Sequence, residues 1–152
     1  MDCKNAAQQV LDCIGGPDGT LRQNPVPKLA AQRGAAQALA AGSTVSAPAR
    51  FDLTAAPAGD FCLTVAQGVQ LVYTEQDRTC VLHFTVPALA AGRTERRARL
   101  AEPCRRLRVV GDSSSLEIFL NEGAAVFSTR YYPVPGDVTL TLQGAEGTVY
   151  SL

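Results

Sequence analysis

Three carboxylates lie in or beside one predicted β-hairpin and are the residues best placed for acid–base chemistry: Asp112, Glu117 and Glu122. Two carboxylates that act together on one bond must flank it, roughly 5 Å apart. Asp112 and Glu122 fall in turns at opposite ends of one strand, which separates them too far for that role. Glu117 lies mid-strand and diagonal to Arg130, where a cross-strand ion pair is expected. The sequence therefore predicts no catalytic residue in this chain.

Two further features are weaker candidates for chemistry. His83 is the single histidine, and no G-x-S-x-G nucleophile motif occurs in the chain, so we interpret it as a surface or hydrogen-bonded strand residue. The run Asp112 to Ser115 could form a nucleophile or cation loop. A tight turn capped by the aspartate is the favoured interpretation, because the run supplies too few oxygen ligands for calcium.

The cysteines predict neither a metal site nor a disulfide framework. Their number is odd, no C-x-x-C pair occurs, and zinc-type spacing is absent. We expect small buried thiols in a reducing compartment, with no metal and no cofactor. No apolar run after Met1 is long enough for a signal peptide or a membrane span, so a cytoplasmic protein is predicted. The cysteines are Cys3, Cys13, Cys62, Cys80 and Cys104.

The overall charge gives no reason to expect nucleic acid or an anionic membrane as a partner. The 152 residues carry a formal net charge of +0, and 46% of them are hydrophobic, which suits one domain with a core. Arginine is locally in excess in one part of the chain. These residues could form a patch that binds an anion or phosphate, but we favour the interpretation that they are solvent-facing strand residues. Its members are Arg93, Arg96, Arg97, Arg99, Arg105, Arg106 and Arg108.

The carboxylates are positioned by a central hairpin, defined here as Leu116 to Tyr132, with its turn at Asn121 to Ala124. Gly123 supplies a positive φ without cost, so the turn can be tight. The predicted register places Glu117 opposite Ser128 and puts an almost wholly apolar face towards the core. A one-residue slip would bury charged side chains, so the register is well specified. The opposite, mixed face carries Glu117, Phe119, Val126, Arg130 and Tyr132.

The hairpin also carries a family resemblance. The run D-S-S-S-L-E-I-F-L-N-E-G followed by F-S-T-R-Y-Y-P resembles the signature of the C-terminal β-sandwich of glycoside hydrolase family 32. This family contains invertases, sucrose-6-phosphate hydrolases, levanases and inulinases. Gly111 departs from the family pattern, in which an apolar residue is usual. The signature turn positions are Asp112, Ser114, Asn121 and Gly123.

A second resemblance lies upstream, in D-G-T-L-R-Q-N-P-V-P-K-L-A-A-Q-R from Asp18 to Arg33. It is similar to the segment that leads from the family's catalytic propeller into the sandwich, with Lys28 replacing the usual glutamate. We therefore divide the chain into a connector, residues 1–34, and a sandwich domain, residues 35–152.

The strand pattern predicts an all-β fold, an antiparallel β-sandwich of two packed sheets with roughly ten or eleven strands. A short helix or turn is expected near the N-terminus, beginning at Lys28 and ending near Gly34. The Ala-rich stretch 35–41 carries no predicted strand.

The resemblance implies a function for the parent rather than for this chain. The family's catalytic signatures W-[MLI]-N-D-P-N-G, R-D-P and E-C are missing, and the chain has no Trp. A non-catalytic module of a β-fructofuranosidase is implied, which supports the catalytic β-propeller of the same parent chain. Because the isolated module would expose the surface that meets the propeller, we also expect dimers or higher oligomers. We expect the mixed face to pack on that propeller. The alternative is a free-standing carbohydrate-binding sandwich, in which Tyr73, Tyr131 or Tyr132 stacks on sugar rings.

Overall fold

The computed structural model describes residues 11–15, 21–25, 27–90 and 95–152, so that Asp18 and Arg93 lie outside the described residues. Within these ranges the chain forms fourteen strands and two short helices. The elements are β1 (Leu11–Gly15), β2 (Leu21–Pro25), α1 (Pro27–Ala31), β3 (Ala36–Leu39), β4 (Thr44–Ala47), β5 (Arg50–Ala55), β6 (Phe61–Val65), β7 (Val69–Thr74), β8 (Thr79–Phe84), α2 (Pro87–Ala90), β9 (Glu95–Arg99), β10 (Leu107–Asp112), β11 (Ser115–Leu120), β12 (Ala125–Arg130), β13 (Val138–Gln143) and β14 (Gly147–Ser151).

Twelve of these strands form two six-stranded antiparallel sheets, which confirms the predicted sandwich. Sheet I has the order β12-β11-β10-β5-β14-β3, and sheet II has the order β4-β13-β6-β7-β8-β9. Strands β1 and β2 pair separately as a two-stranded ribbon. Strand β3 was not predicted, because its Ala-rich sequence favours a helix; pairing with β14 overrides that local preference.

The core lies between the two sheets and follows from residue alternation. Strands such as β6 and β7 alternate buried and half-buried residues, so one face of each sheet points inward. Full burial of a Leu or Phe side chain contributes about 1.5–3 kcal/mol, which makes this layer the main stabilising element. The largest fully buried side chains include Tyr73, Tyr131, Phe51, Leu53, Leu71, Ile118 and Leu120.

The predicted register of the central hairpin is confirmed. Glu117 pairs with Ser128, and Phe119 pairs with Val126. The unusual Gly111 has a packing reason, since a Cβ at that position would overlap the ring of Phe51. The aromatic ring of β5 thus fills the space that an apolar side chain would otherwise take.

The predicted N-terminal helix is observed as α1, a single turn that packs on sheet I. Pro27 begins it, as expected for a residue whose fixed φ suits the first helical position. Its one buried side chain is Leu29. The N–H groups of Gln32 and Arg33 bond to the carbonyls of residues 29 and 30, which closes the helix. Residues 27–34 therefore make contacts across the predicted boundary at residue 34, and that boundary itself stays a prediction.

Neither a membrane-spanning helix nor a metal cluster is found in the described part of the chain. No helix there is long and apolar enough to cross a membrane. The described residues also contain no group of three or more His, Cys, Asp or Glu side chains that could hold a metal ion.

Candidate functional site

The turn of the central hairpin is held by the side chain of Asn121. Its Oδ1 accepts hydrogen bonds from the backbone N–H groups of Arg105 and Arg106, at 2.8 and 3.2 Å. Its Nδ2 donates to the carbonyl of Pro103 at 2.9 Å. Asn121 therefore fixes the loop that enters β10, and this signature residue uses its polar atoms inside the fold.

The same turn contacts the β1–β2 ribbon. Arg22 Nη1 donates to the Asn121 carbonyl at 3.2 Å. Gly123 has φ +88°, and a Cβ there would overlap the carbonyl oxygen of Gln23. Positive φ also occurs at Asn121 and Glu122, so the turn holds three left-handed residues where sequence reasoning predicted one. The signature glycine is required both by its conformation and by the close approach of the ribbon.

The second signature turn joins β10 to β11. The carboxylate of Asp112 lies 3.5 Å from Arg50 Nε, and both side chains are more than half exposed. The Ser114 N–H donates to the Asp112 carbonyl, and the Ser114 carbonyl accepts the Tyr131 N–H at 3.0 Å. The predicted cap by the aspartate side chain is wrong, because the main chain closes this turn and the carboxylate pairs with an arginine.

The apolar part of the predicted mixed face is covered from within the chain. Phe119 is 2% exposed and forms an apolar cluster with Leu29 of α1 and Val110 of β10. Val126 and Leu152 pack against the same cluster. The connector and the C-terminus thus shield the apolar part of the face that we expected to meet another domain.

The charged part of that face lies further along the hairpin. Glu117 accepts a hydrogen bond from the Ser128 hydroxyl, and Arg130 Nη1 lies 3.4 Å from Ser114 Oγ. Burial raises the pKa of Glu117 above its ordinary value, an effect that the Ser128 hydrogen bond partly offsets. Tyr132 lies beyond the end of β12, where it is 49% exposed and its N–H donates to the carbonyl of Leu89 in α2 at 3.1 Å. The five predicted residues thus divide into an apolar pair, a polar pair and a separate tyrosine.

A polar centre that sequence reasoning missed lies on the outer face of sheet I, the face turned away from sheet II. Asp52 of β5 is fully buried, and its carboxylate bonds to Arg33 and Arg108. The signal was available in the sequence, since an Asp between Phe51 and Leu53 in an apolar strand needs a partner for its charge. Arg33 matches the last position of the upstream resemblance.

A groove of about 730 Å³ runs along the same outer face, beside the ribbon. Its lining mixes the apolar ring of Phe119 with polar and charged side chains from sheet I and its flanking turns. These polar residues are Asn24, Thr54, Arg106, Arg108, Glu122, Glu146 and Thr148.

The carboxylates first considered for catalysis do not come together as a pair. Asp112 ends β10 next to Ser115, while Glu122 follows the far end of β11. The six-residue strand β11, Ser115–Leu120, lies between the two turns and is roughly 17 Å long. A pair that flanks one glycosidic bond needs about 5 Å, so these two groups cannot serve as one.

The histidine and the described cysteines occupy structural positions. His83 is half-buried and lies between Gln70 and Glu95 on the neighbouring strands. Cys62, Cys80 and Cys104 are free thiols. Burial raises the pKa of Cys80 to about 12 and that of Cys104 to about 11, so both thiols are poor nucleophiles at neutral pH.

The arginine cluster is used mainly in contacts within the chain. Arg105 Nη2 lies 2.6 Å from Glu75 Oε1, and Arg97 Nε lies 3.1 Å from Glu95 Oε1. Arg96 donates to the Ser128 carbonyl at 2.7 Å. These contacts favour the interpretation as strand-surface residues over an anion patch.

Two six-stranded sheets and a central hairpin held by Asn121 and Gly123 define the chain as an antiparallel β-sandwich. Residues 19–151 match the family described as "Glycosyl hydrolases family 32 C terminal". The chain belongs to this family, as its hairpin sequence predicts.

Curated relatives point to one group of enzymes. Over 121 residues the chain is 33% identical to the sucrose-6-phosphate hydrolase of Klebsiella pneumoniae, a match that covers 79% of this chain and 25% of that protein. Over 41 residues it is 46% identical to the sucrose-6-phosphate hydrolase of Escherichia coli, which covers 27% of this chain and 9% of that protein. The chain spans about a quarter or less of the length of these relatives.

Solved structures share the fold. A sucrose-6-phosphate hydrolase from Lactobacillus gasseri matches with a TM-score of 0.78 at 20% identity, and the match covers 93% of this chain and 32% of that one. A Bombyx mori GH32 beta-fructofuranosidase matches with a TM-score of 0.75 at 16% identity over the same fractions. At these identities the similarity establishes the fold alone.

Proposed function

We propose that this chain is a non-catalytic C-terminal module of a β-fructofuranosidase of the sucrose or sucrose-6-phosphate hydrolase type. The observation that carries the proposal is the use of the signature residues. Asn121 holds the loop before β10, and Gly123 makes room for the ribbon. Residues that serve the fold in this way support a structural module, since a ligand site would leave some of these polar atoms available.

The partner in this proposal is the catalytic β-propeller of the same parent chain. The connector, which would lead from that propeller, lies against the outer face of sheet I through Leu29 and Arg33. The groove of about 730 Å³ lies on the same face. We therefore place the docking surface for the propeller along this groove, rather than on the mixed face as a whole.

Two further properties belong to the proposal. The free thiols of Cys62, Cys80 and Cys104 support a reducing compartment, so we place the protein in the cytoplasm.

Val86, Tyr132 and Val134 are exposed apolar residues, which supports self-association of the chain. Sedimentation velocity at rising protein concentration tests this, and a strictly monomeric profile would remove the oligomer from the proposal.

The alternative is a free-standing carbohydrate-binding sandwich, and the groove is the observation that favours it. Sugars bind through hydrogen bonds to charged and amide side chains, and Asn24, Arg108 and Glu122 supply such groups here. The ring of Phe119 is 2% exposed and is not available for stacking. Tyr73 and Tyr131 are fully buried, so neither can stack on a sugar ring.

A direct test uses the chain alone. It is incubated with sucrose and with sucrose 6-phosphate, and it is titrated with sucrose, 1-kestose and inulin in a calorimeter. The structural proposal predicts no hydrolysis and no binding at millimolar ligand. Binding that is lost in an Ala38→Arg variant, which places a cation in the groove, would establish the carbohydrate-binding alternative instead. Ala88→Arg is the matched control, because Ala88 is also an exposed alanine but belongs to α2, outside the groove lining.

A further inference from the structure

Asp52 is a fully buried carboxylate on the outer face of a central strand. Its Oδ1 accepts a hydrogen bond from Arg108 Nε at 3.0 Å. Its Oδ2 accepts one from Arg108 Nη2 at 2.7 Å and one from Arg33 Nε at 2.8 Å. One acid therefore binds two guanidinium groups, and Arg108 engages it with both prongs of its fork.

The two arginines belong to different parts of the chain, so their bonds to Asp52 join those parts. Arg108 belongs to β10, a strand that pairs with β5. Arg33 follows α1 and belongs to the connector. Asp52 is thus a point at which the sheet holds the connector through a charge.

Other contacts place the same segment against sheet I. The guanidinium of Arg33 lies over the ring of Tyr150, 4.3 Å from its centroid. The Gly34 N–H donates to the Ser151 carbonyl at 2.8 Å, and a Cβ on Gly34 would lie 2.5 Å from Ser151 Oγ. Leu29 supplies the apolar contact to Phe119. The Ser151 N–H in turn donates to the Ala35 carbonyl at 3.1 Å, so the segment is held by one ion pair, one stacked ring, two backbone hydrogen bonds and one buried leucine.

Burial of a carboxylate is costly unless it is well paired, and an apolar pair of similar size would often stabilise a fold as well. What the charged cluster adds is direction, because the two bonds donated by Arg108 hold the carboxylate in one orientation. Oδ2 is thereby aimed to accept the single bond from Arg33 Nε. We propose that Asp52 is a positioning residue that locks residues 27–35 onto sheet I and so fixes the path by which the chain enters the sandwich. The lock is independent of the proposed function; only its use in orienting a catalytic domain depends on that proposal.

The lock is tested by amide hydrogen exchange of the full chain, read by mass spectrometry on peptides that cover residues 29–35. The amides of Gln32, Arg33 and Gly34 are hydrogen-bonded and report the closed segment. In Asp52→Asn we expect these amides to exchange at least about tenfold faster, while β6 and β7 stay protected. The matched control is Asp112→Asn, which removes an exposed carboxylate from the same sheet and should leave residues 29–35 within about twofold of wild type.

A second variant keeps the test decisive if Asp52→Asn does not fold. Arg33 is partly exposed, so Arg33→Gln removes one partner without opening the core. It should speed exchange of the same amides. Arg33→Lys should restore part of the protection, because lysine keeps the charge beside Asp52 but loses the stacking of the guanidinium on Tyr150. Exchange unchanged in Arg33→Gln would overturn the lock. The proposed function is tested separately, by a hydrolase in which this chain replaces the native C-terminal module. An active chimera despite unchanged exchange would leave the proposed function standing, so the two claims fail separately.

Discussion

The clearest single perturbation is Asn121→Ala, at the turn of the central hairpin. It removes three side-chain hydrogen bonds, two accepted from the N–H groups of Arg105 and Arg106 and one donated to Pro103. It also leaves an alanine at φ 49°, a conformation that asparagine tolerates better than other L residues. The loop that enters β10 loses its anchor, while the core beneath it is untouched.

The magnitude follows from those contacts. Each hydrogen bond contributes about 0.5–1.5 kcal/mol, and water can replace part of this because Arg105 and Arg106 are exposed. With the added conformational strain we expect a loss of about 2–3 kcal/mol in the free energy of unfolding. For a chain of this length that corresponds to a fall of about 5–10 °C in Tm.

The assay is urea unfolding followed by circular dichroism, with Tm from thermal scans of the same samples. The control is Glu122→Ala, which places an alanine at a neighbouring residue of positive φ and leaves the hydrogen bonds of Asn121 in place. We expect it to change stability by less than about 0.5 kcal/mol. A similar loss in both variants, or no loss in Asn121→Ala, would refute the view that the signature asparagine serves the fold.

Three further predictions concern buried polar groups. Tyr131→Phe should be neutral or stabilising in urea unfolding, because its buried hydroxyl has no partner among the described residues; Tyr73→Phe should cost about 1–3 kcal/mol, since that hydroxyl donates to a glutamate and accepts a backbone N–H. Glu117→Gln should raise stability at pH 7 by less than about 1 kcal/mol, since burial raises the pKa of this acid. Below the pKa of the unfolded state, near 4.5, Glu117 is protonated and its burial does not destabilise the fold; this favourable state is lost as the pH rises through the raised pKa of the folded state. The gain in stability from Glu117→Gln should therefore vanish in acid, and a gain at every pH would contradict this cause. In the native state, iodoacetamide at pH 8 should label Cys62 before Cys80, whose pKa is about 12, as peptide mass spectrometry would show; equal rates would contradict the burial.

Local sequence was sufficient to predict the central hairpin, where the alternation of apolar and polar residues and the turn both specify one register. Glu117 and Ser128 are paired as predicted, because any slip would bury a charge. It was insufficient for β3, whose Ala-rich sequence becomes a strand only through pairing with β14. The fold class was predicted, and the excess of strands over prediction comes from such tertiary pairing.

The candidate site was less predictable, since it depends on which segments meet across the sheet. Phe119 could be assigned to the outer face from its position in β11, but nothing local indicates that Leu29 covers it. Asp52 and Arg33 are 19 residues apart, and their contact exists only after the connector has folded back on sheet I. The separation of Tyr132 from the rest of the predicted face follows from the end of β12 at Arg130.

The central claim is that this chain serves as a structural module for a hydrolase. It is tested most directly by a chimera in which the C-terminal quarter of the Klebsiella pneumoniae sucrose-6-phosphate hydrolase is replaced by this chain. Hydrolysis of sucrose 6-phosphate and its half-life at rising temperature are compared with those of the same enzyme truncated before the module.

We predict an active chimera that outlasts the truncated enzyme. Ala38→Arg in the groove should shorten its half-life, whereas the matched Ala88→Arg should not. A truncated enzyme as active and as durable as the chimera would contradict the claim.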